Sequence, residues 1–174
     1  MKKNCIIFIL IGIISLTVVF FSVEKRESVS TEYLRIHVRA NSNEEKDQQI
    51  KYQIKDRLVA YLTPFVAQAS TKSQAISLLN EKSEQMESIC NSYLSLKGFN
   101  YSAKVKIVNE YFPTRVYEDT TLESGYYDSI IVELGSAKGD NWWCVVYPPL
   151  CFVNSAPVSY RSKILEIINN FKNR

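Results

Sequence analysis

Apolar and polar positions follow two regimes along the chain. Residues 5–23, CIIFILIGIISLTVVFFSV, carry no charge. As a helix rising about 1.5 Å per residue, such a run reaches about 28 Å, close to the hydrocarbon thickness of a bilayer. Lys2 and Lys3 precede it, and the charge-balanced EKRE at 24–27 follows. The positive-inside bias then holds the N-terminus in the cytoplasm and sends the rest across. Phe20, Phe21 and Val23 crowd the exit, where a cleaved signal peptide carries small residues. Residues 1–23 are therefore expected to be a signal-anchor or a signal peptide with a poor cleavage site. Residues 24–31, EKRESVST, read as a linker, and 32–174 as one exported domain large enough for a core.

From residue 33 the period changes. YLRIHVR (33–39) alternates as a strand. Leu34, Ile36 and Val38 share one face, while Arg35, His37 and Arg39 share the other, which is expected to meet solvent or a partner. Ser42 and Glu45 have the spacing of a capping box. Ile50, Ile54, Leu58, Leu62 and Phe65 then recur at helical spacing, with Pro64 expected to end or bend the helix. Thr71 and Gln74 offer a second cap, followed by one helix carrying Ile76, Leu79, Met86, Ile89 and Tyr93 and closing near Gly98. Residues 101–108, 126–134 and 142–147 read as strands, and 160–172 as a final helix. This order predicts an α+β fold, an antiparallel or mixed sheet packed with about three helices.

Charge and motifs narrow the chemistry. The net charge of +3 is mild and mixed along the chain, which gives no case for nucleic acid. His37 is the only histidine, so neither a clustered transition-metal site nor an HExxH motif is available. No G-x-S-x-G, P-loop or dinucleotide fingerprint occurs. The carboxylates fall mainly on helix surfaces and in the 118–123 loop, and no pair is singled out for glycoside chemistry. No catalytic residue, cofactor, metal or small-molecule substrate is expected.

Residues 139–154, GDNWWCVVYPPLCFVN, hold both tryptophans of the chain. On a strand Trp142 and Trp143 point to opposite faces. One is expected in the core, and the other packs on a helix or anchors a protein interface. An exported location favours disulfides, and the absence of C-x-x-C argues against a thioredoxin-like site. A straight strand would hold Cys144 and Cys151 about 23 Å apart, too far for a bridge. Pro148 and Pro149 interrupt the ladder, so a turn could bring them together. A disulfide and a pair of small buried thiols both fit.

The blocks LRIHVRANSNEEKDQQIKYQIKD (34–56), FPTRVYE (112–118), GYY (125–127) and LGSAKGDNWWCVVYPPLCFV (134–153) together resemble the stage II sporulation protein R family. The resemblance implies a non-enzymatic signal of endospore-forming bacteria, exported from the forespore to the intermembrane space. There it would activate a membrane-embedded aspartic protease that removes the pro-sequence of sigma E. The family supplies no catalytic residues. On the residues alone, Arg39, Asn41 and Trp142 or Trp143 are the expected partner contacts, because arginine and tryptophan are common hot-spot residues. A cell-envelope hydrolase and a structural envelope interaction protein are the competing readings.

Overall fold

A computed structural model describes residues 32–117, 120–154 and 158–173. The apolar run at 5–23 and the linker at 24–31 lie outside the described residues. No helix among the described residues is long and apolar enough to cross a membrane.

The elements run in the order β1 (Leu34–Arg39), α1 (Glu45–Val66), α2 (Lys72–Glu81), α3 (Ser83–Leu96), β2 (Ala103–Phe112), β3 (Arg115–Tyr117), β4 (Thr120–Leu122), β5 (Gly125–Leu134), β6 (Asn141–Tyr147), a 3-10 turn (Leu150–Phe152) and α4 (Val158–Lys172). The fold is α+β with a mixed sheet. Four strands stand in the order β2-β5-β1-β6, and β3 and β4 form a separate two-stranded ribbon. β1 is parallel to β5 and antiparallel to β6, and β2 is antiparallel to β5.

One face of the sheet carries the main core. Leu34, Ile36 and Val38 of β1 pack with Ile130, Val132 and Leu134 of β5, Cys144 and Val146 of β6, and Ile50, Ile54, Leu58 and Leu62 of α1. The four-residue spacing of the α1 positions puts them on one stripe, as the sequence predicts. Pro64 lies inside the last turn of α1, which runs on to Val66, and does not end it. A proline so close to the C-terminus costs one hydrogen bond where the ladder is already ending.

Two local expectations are corrected. Glu44, not Ser42, is the N-cap of α1, and it makes no side-chain capping bond. Ser42 instead accepts from the Glu44 amide at 3.1 Å and donates to Asp47 at 2.6 Å. The expected single helix after Thr71 is two helices, broken at Lys82 (φ −101°, ψ 1°), so the described residues hold four α-helices and not three. Thr71 does cap the first, accepting from Gln74 N at 3.2 Å. Leu79, Met86, Cys90 and Leu94 are buried, while Ile76 and Tyr93 are only partly buried. Gly98 closes α3 at φ +77°: Gly98 N bonds Ser95 O at 3.0 Å and Phe99 N bonds Leu94 O at 3.0 Å. That pair of bonds is the Schellman pattern, which requires the left-handed residue glycine supplies.

The second face of the sheet is expected to meet solvent or a partner, and over Arg35 and His37 it is covered by the chain itself. Arg35 and His37 are fully buried. In register, Phe112 lies opposite Gly125, while His37 lies beside Ile131. Six residues of straight strand would separate those levels by about 20 Å. The Phe112 ring is nevertheless centred 5.1 Å from His37. The β2–β5 ribbon therefore curls over β1, and Phe112, Tyr127 and Ile131 form a second small core with Tyr33 and Trp143 against it.

Candidate functional site

Two of the distinctive sequence blocks meet at the end of β1. Asn41 accepts from Ser136 N at 2.8 Å, and Ser136 Oγ donates to the Asn41 carbonyl at 2.7 Å. Gly139 N bonds Ala40 O at 2.9 Å, Lys138 N bonds Asn41 O at 3.2 Å, and Asp140 N donates to Asn43 Oδ1 at 2.7 Å. The approach is close enough to need glycine. A Cβ at Gly139 would run into the Ser42 carbonyl, and one at Gly135, already at φ +56°, into Asn41 Oδ1. Below the loops Asp47 accepts from Asn41 at 2.8 Å, Ser42 at 2.6 Å and Tyr101 at 2.7 Å. Burial pushes the Asp47 carboxyl up, but these bonds outweigh it and hold it below its ordinary range. Lys51, also buried, donates to Gln48 at 2.5 Å and the Asp140 carbonyl at 3.0 Å. ANSNEEKD and GSAKGDN thus form one polar clamp.

A polar and aromatic cluster fills the second face. Trp143 stacks on His37 with centroids 4.7 Å apart and planes 28° apart, and Phe112 meets Trp143 edge-on at 4.9 Å. His37 Nε2 lies 3.3 Å from Glu110 Oε2, while Nδ1 has no hydrogen-bond partner. Burial, then Arg39 and Arg35, depress the imidazole to about 3, so it is neutral at pH 7. Arg39 bonds Glu133 at 3.1 Å and pairs with Glu110. Lys106 reaches Glu133 at 2.6 Å. The Lys106 bond, with Arg39, holds the Glu133 carboxyl below its ordinary range against the effect of burial. Arg35 lies between the Phe112 and Tyr127 rings, 4.3 and 4.7 Å from their centroids, and donates to the Tyr117 hydroxyl at 3.0 Å. Its Nε and Nη1 are buried without partners.

The expected contact residues do not form one patch. Trp142 packs against the main core beneath Lys55, whose Nζ is 5.6 Å from its ring. Trp143 faces the other way, toward His37, with Arg115 5.4 Å from its ring. Arg39 stands on the Trp143 face with its side chain 24% exposed, and Asn41 belongs to the clamp. Cys144 and Cys151 are bonded, their Cα atoms 6.2 Å apart. The chain turns between them through Pro148 and Pro149 into the 3-10 segment. Glu110 carries no signal in the sequence, Arg35 stands out only for its strand face, and Phe112 and Tyr117 only as part of the FPTRVYE block. The one local signal was the charged residues alternating with the apolar set of β1.

Comparison with known proteins decides the family. The family model described as stage II sporulation protein R matches residues 30–157. The chain belongs to that family. It is 31% identical over 126 residues to stage II sporulation protein R of Bacillus subtilis (strain 168). The alignment covers 72% of this chain but 56% of the relative, so the chain spans little more than half the length of the curated family member it matches. No solved structure gives a significant match. The matched region includes the clamp, the second-face cluster and the disulfide corner, and it ends just before α4.

Proposed function

We propose that this sporulation protein is a non-enzymatic intercellular signal. It is exported from the forespore to the intermembrane space, tethered there if its N-terminal segment is retained, and it activates the membrane-embedded aspartic protease that processes pro-sigma E. The observation that carries the reading is family membership across residues 30–157. The character of the second face agrees with it. His37 is enclosed by Trp143, Phe112 and Glu110 and depressed to about 3, an environment unlike that of a general base poised near the working pH. Of the expected partner contacts Arg39, Asn41 and Trp143 are kept, with Arg39 and Trp143 on one face and Asn41 fixing the loop beside them, while Trp142 packs on the main core.

The test is reconstitution. The full chain is added to membranes bearing the protease and its pro-sigma substrate, with purified cell-wall material as a parallel substrate. Processing that depends on the chain supports signalling. Wall degradation without processing would replace this reading by the hydrolase, and neither activity would favour a structural envelope role.

A further inference from the structure

β2 stands at one end of the sheet, beside β5 alone. Its even-numbered backbone groups turn toward β5. Val108 O accepts from Ser129 Oγ at 2.9 Å, and just before the strand Ser102 O accepts from Gly135 N at 2.9 Å. The odd-numbered groups therefore turn outward, because the direction alternates along an antiparallel strand. α3 holds the first of them. Ala103 N donates to Asn91 Oδ1 at 2.6 Å, Ala103 O accepts from Asn91 Nδ2 at 3.4 Å, and Val105 N donates to Glu87 Oε2 at 3.0 Å. Beyond them the outward N–H and C=O groups of Ile107, Asn109 and Tyr111 have no hydrogen-bond partner among the described residues. Pro113 then closes the edge, having no N–H to give. A strand edge left open in this way is a template for a second strand.

The side chains along the open stretch complement themselves. Val108 is 42% exposed, and Lys106 and Glu110 lie two positions to either side of it, on the same face of the strand. A two-fold axis at Val108 sets two antiparallel copies of β2 with Val108 against Val108 and each Lys106 against the partner's Glu110. Ile107 and Asn109 then face each other in the hydrogen-bonded positions, which adds about four backbone bonds. Within each copy Lys106 keeps Glu133 and Glu110 keeps Arg39, so the new pairs extend a charge network already present.

Neighbouring registers are poorer. An axis at Ile107 needs the Val105 N–H that Glu87 already holds. One at Asn109 sets Val108 against the Glu110 charge and Lys106 against Phe112, which is buried. One at Glu110 sets that carboxylate against its own copy, and like charges directly opposite are destabilising.

We propose that the Ile107–Tyr111 edge of β2 is a self-association surface, on which a second copy of this chain pairs antiparallel about Val108. A contact centred on residues 106–110 is smaller than a standard interface, so a dissociation constant of about 0.1 mM is expected.

The test is register-specific disulfide crosslinking. The full chain carrying Cys5→Ser is purified in detergent, which leaves Cys90 buried and Cys144 bonded to Cys151. At about 0.5 mM it is oxidised with diamide and resolved on a non-reducing gel. Val108→Cys is expected to form a dimer, since directly opposed Cα atoms at such a position lie about 4.5 Å apart. Lys106→Cys and Glu110→Cys are expected to crosslink when mixed and not when oxidised separately. Asn109→Pro, added to Val108→Cys, removes an outward N–H and no bond to β5, a change that edge strands tolerate. It is expected to keep the urea midpoint and lower the dimer yield about tenfold. If it does not fold, Val108→Cys and the mixing experiment decide. Crosslinking of Lys106→Cys alone at the yield of the mixture, or an undiminished dimer in folded Asn109→Pro, would overturn the proposal. So would a Val108→Cys protein that stays monomeric, which would leave the edge to a strand of another protein. No protease is used, so failure here leaves the signalling reading standing.

Discussion

Asn41 and Ser136 stand 95 positions apart and are joined by two hydrogen bonds, one through the Asn41 side chain and one through its backbone carbonyl. The same side chain supports the buried Asp47 carboxylate. Asn41→Ala therefore returns the exposed Ser136 amide to water and removes one donor from the buried Asp47 carboxylate. The expected loss is about 1 kcal/mol, read as a fall in urea midpoint at unchanged slope. A loss below about 0.5 kcal/mol would mean that water replaces the side chain at both partners. This fall must be subtracted before any lost activation is ascribed to contact with the protease.

Gly139→Ala tests the closeness of the same clamp. The methyl group would meet the Ser42 carbonyl and the Ala40 side chain. Backbone cannot swing away as a long side chain can, so a cost of more than about 2 kcal/mol is expected. Gly98→Ala provides a contrast. Nothing lies within 4 Å of its Cβ, and its cost of about 1 kcal/mol comes from φ +77° alone. Thermal unfolding of the two variants side by side ranks them, and an equal effect would argue against tight apposition at Gly139.

The thiols separate by environment. Cys144 and Cys151 are expected to resist alkylation in denaturant until reduced, whereas Cys90, of the exported domain, labels at once. In the native state Cys90 should also be inert, because burial, followed by the nearby Glu87, pushes its thiol up to about 12. The disulfide closes a short loop, so its reduction should cost about 2 kcal/mol. Labelling of Cys144 before reduction would mean that the pair is open in the exported protein.

Much of this architecture is legible in local pattern. β2, β5 and β6 begin at residues 103, 125 and 141, each within two positions of the periodicity starting at 101, 126 and 142. The α1 stripe of Ile50, Ile54, Leu58 and Leu62 is the buried one. The covered second face is not legible, because alternation marks which positions are apolar and is silent on what a distant ribbon lays over the polar ones. Arg35 and His37 therefore read as solvated until the curl of β2–β5 is known. The break at Lys82 is hidden for a related reason. Leu79 and Met86 lie two helical turns apart, so their spacing looks continuous through it.

Arg39 combines the structural and the proposed functional role. Its guanidinium links Glu110 to Glu133, and Arg39→Ala leaves those two carboxylates facing a shared gap. The partly exposed site limits the loss to about 1 kcal/mol. If Arg39 also contacts the protease, activation should fall far more than this change in folding explains. Arg39→Lys sharpens the comparison, since an ammonium keeps the charge but cannot bridge two carboxylates with a fixed fork. Full activation by a folded Arg39→Ala protein would remove Arg39 from the interface.

His37 gives the fold a dependence on acid that begins at mild pH. Its ordinary value is 6.5 and its folded value about 3. Between these the unfolded chain binds a proton that the folded chain refuses, so stability is full above about pH 6.5 and declines as pH falls toward 3. The slope approaches about 1.4 kcal/mol per pH unit for this single group. Carboxylates held low in the fold, Asp47 and Glu133 among them, add to the decline only once the pH nears their ordinary values, about 4. The window from 6.5 to 5 therefore reports on His37. Urea unfolding across that window should show a falling midpoint in the native sequence and a flat one in His37→Phe, which fills the same aromatic slot between Phe112 and Trp143. A midpoint that stays constant in the native sequence would mean that Glu110 stabilises the protonated imidazole enough to cancel burial and both arginines.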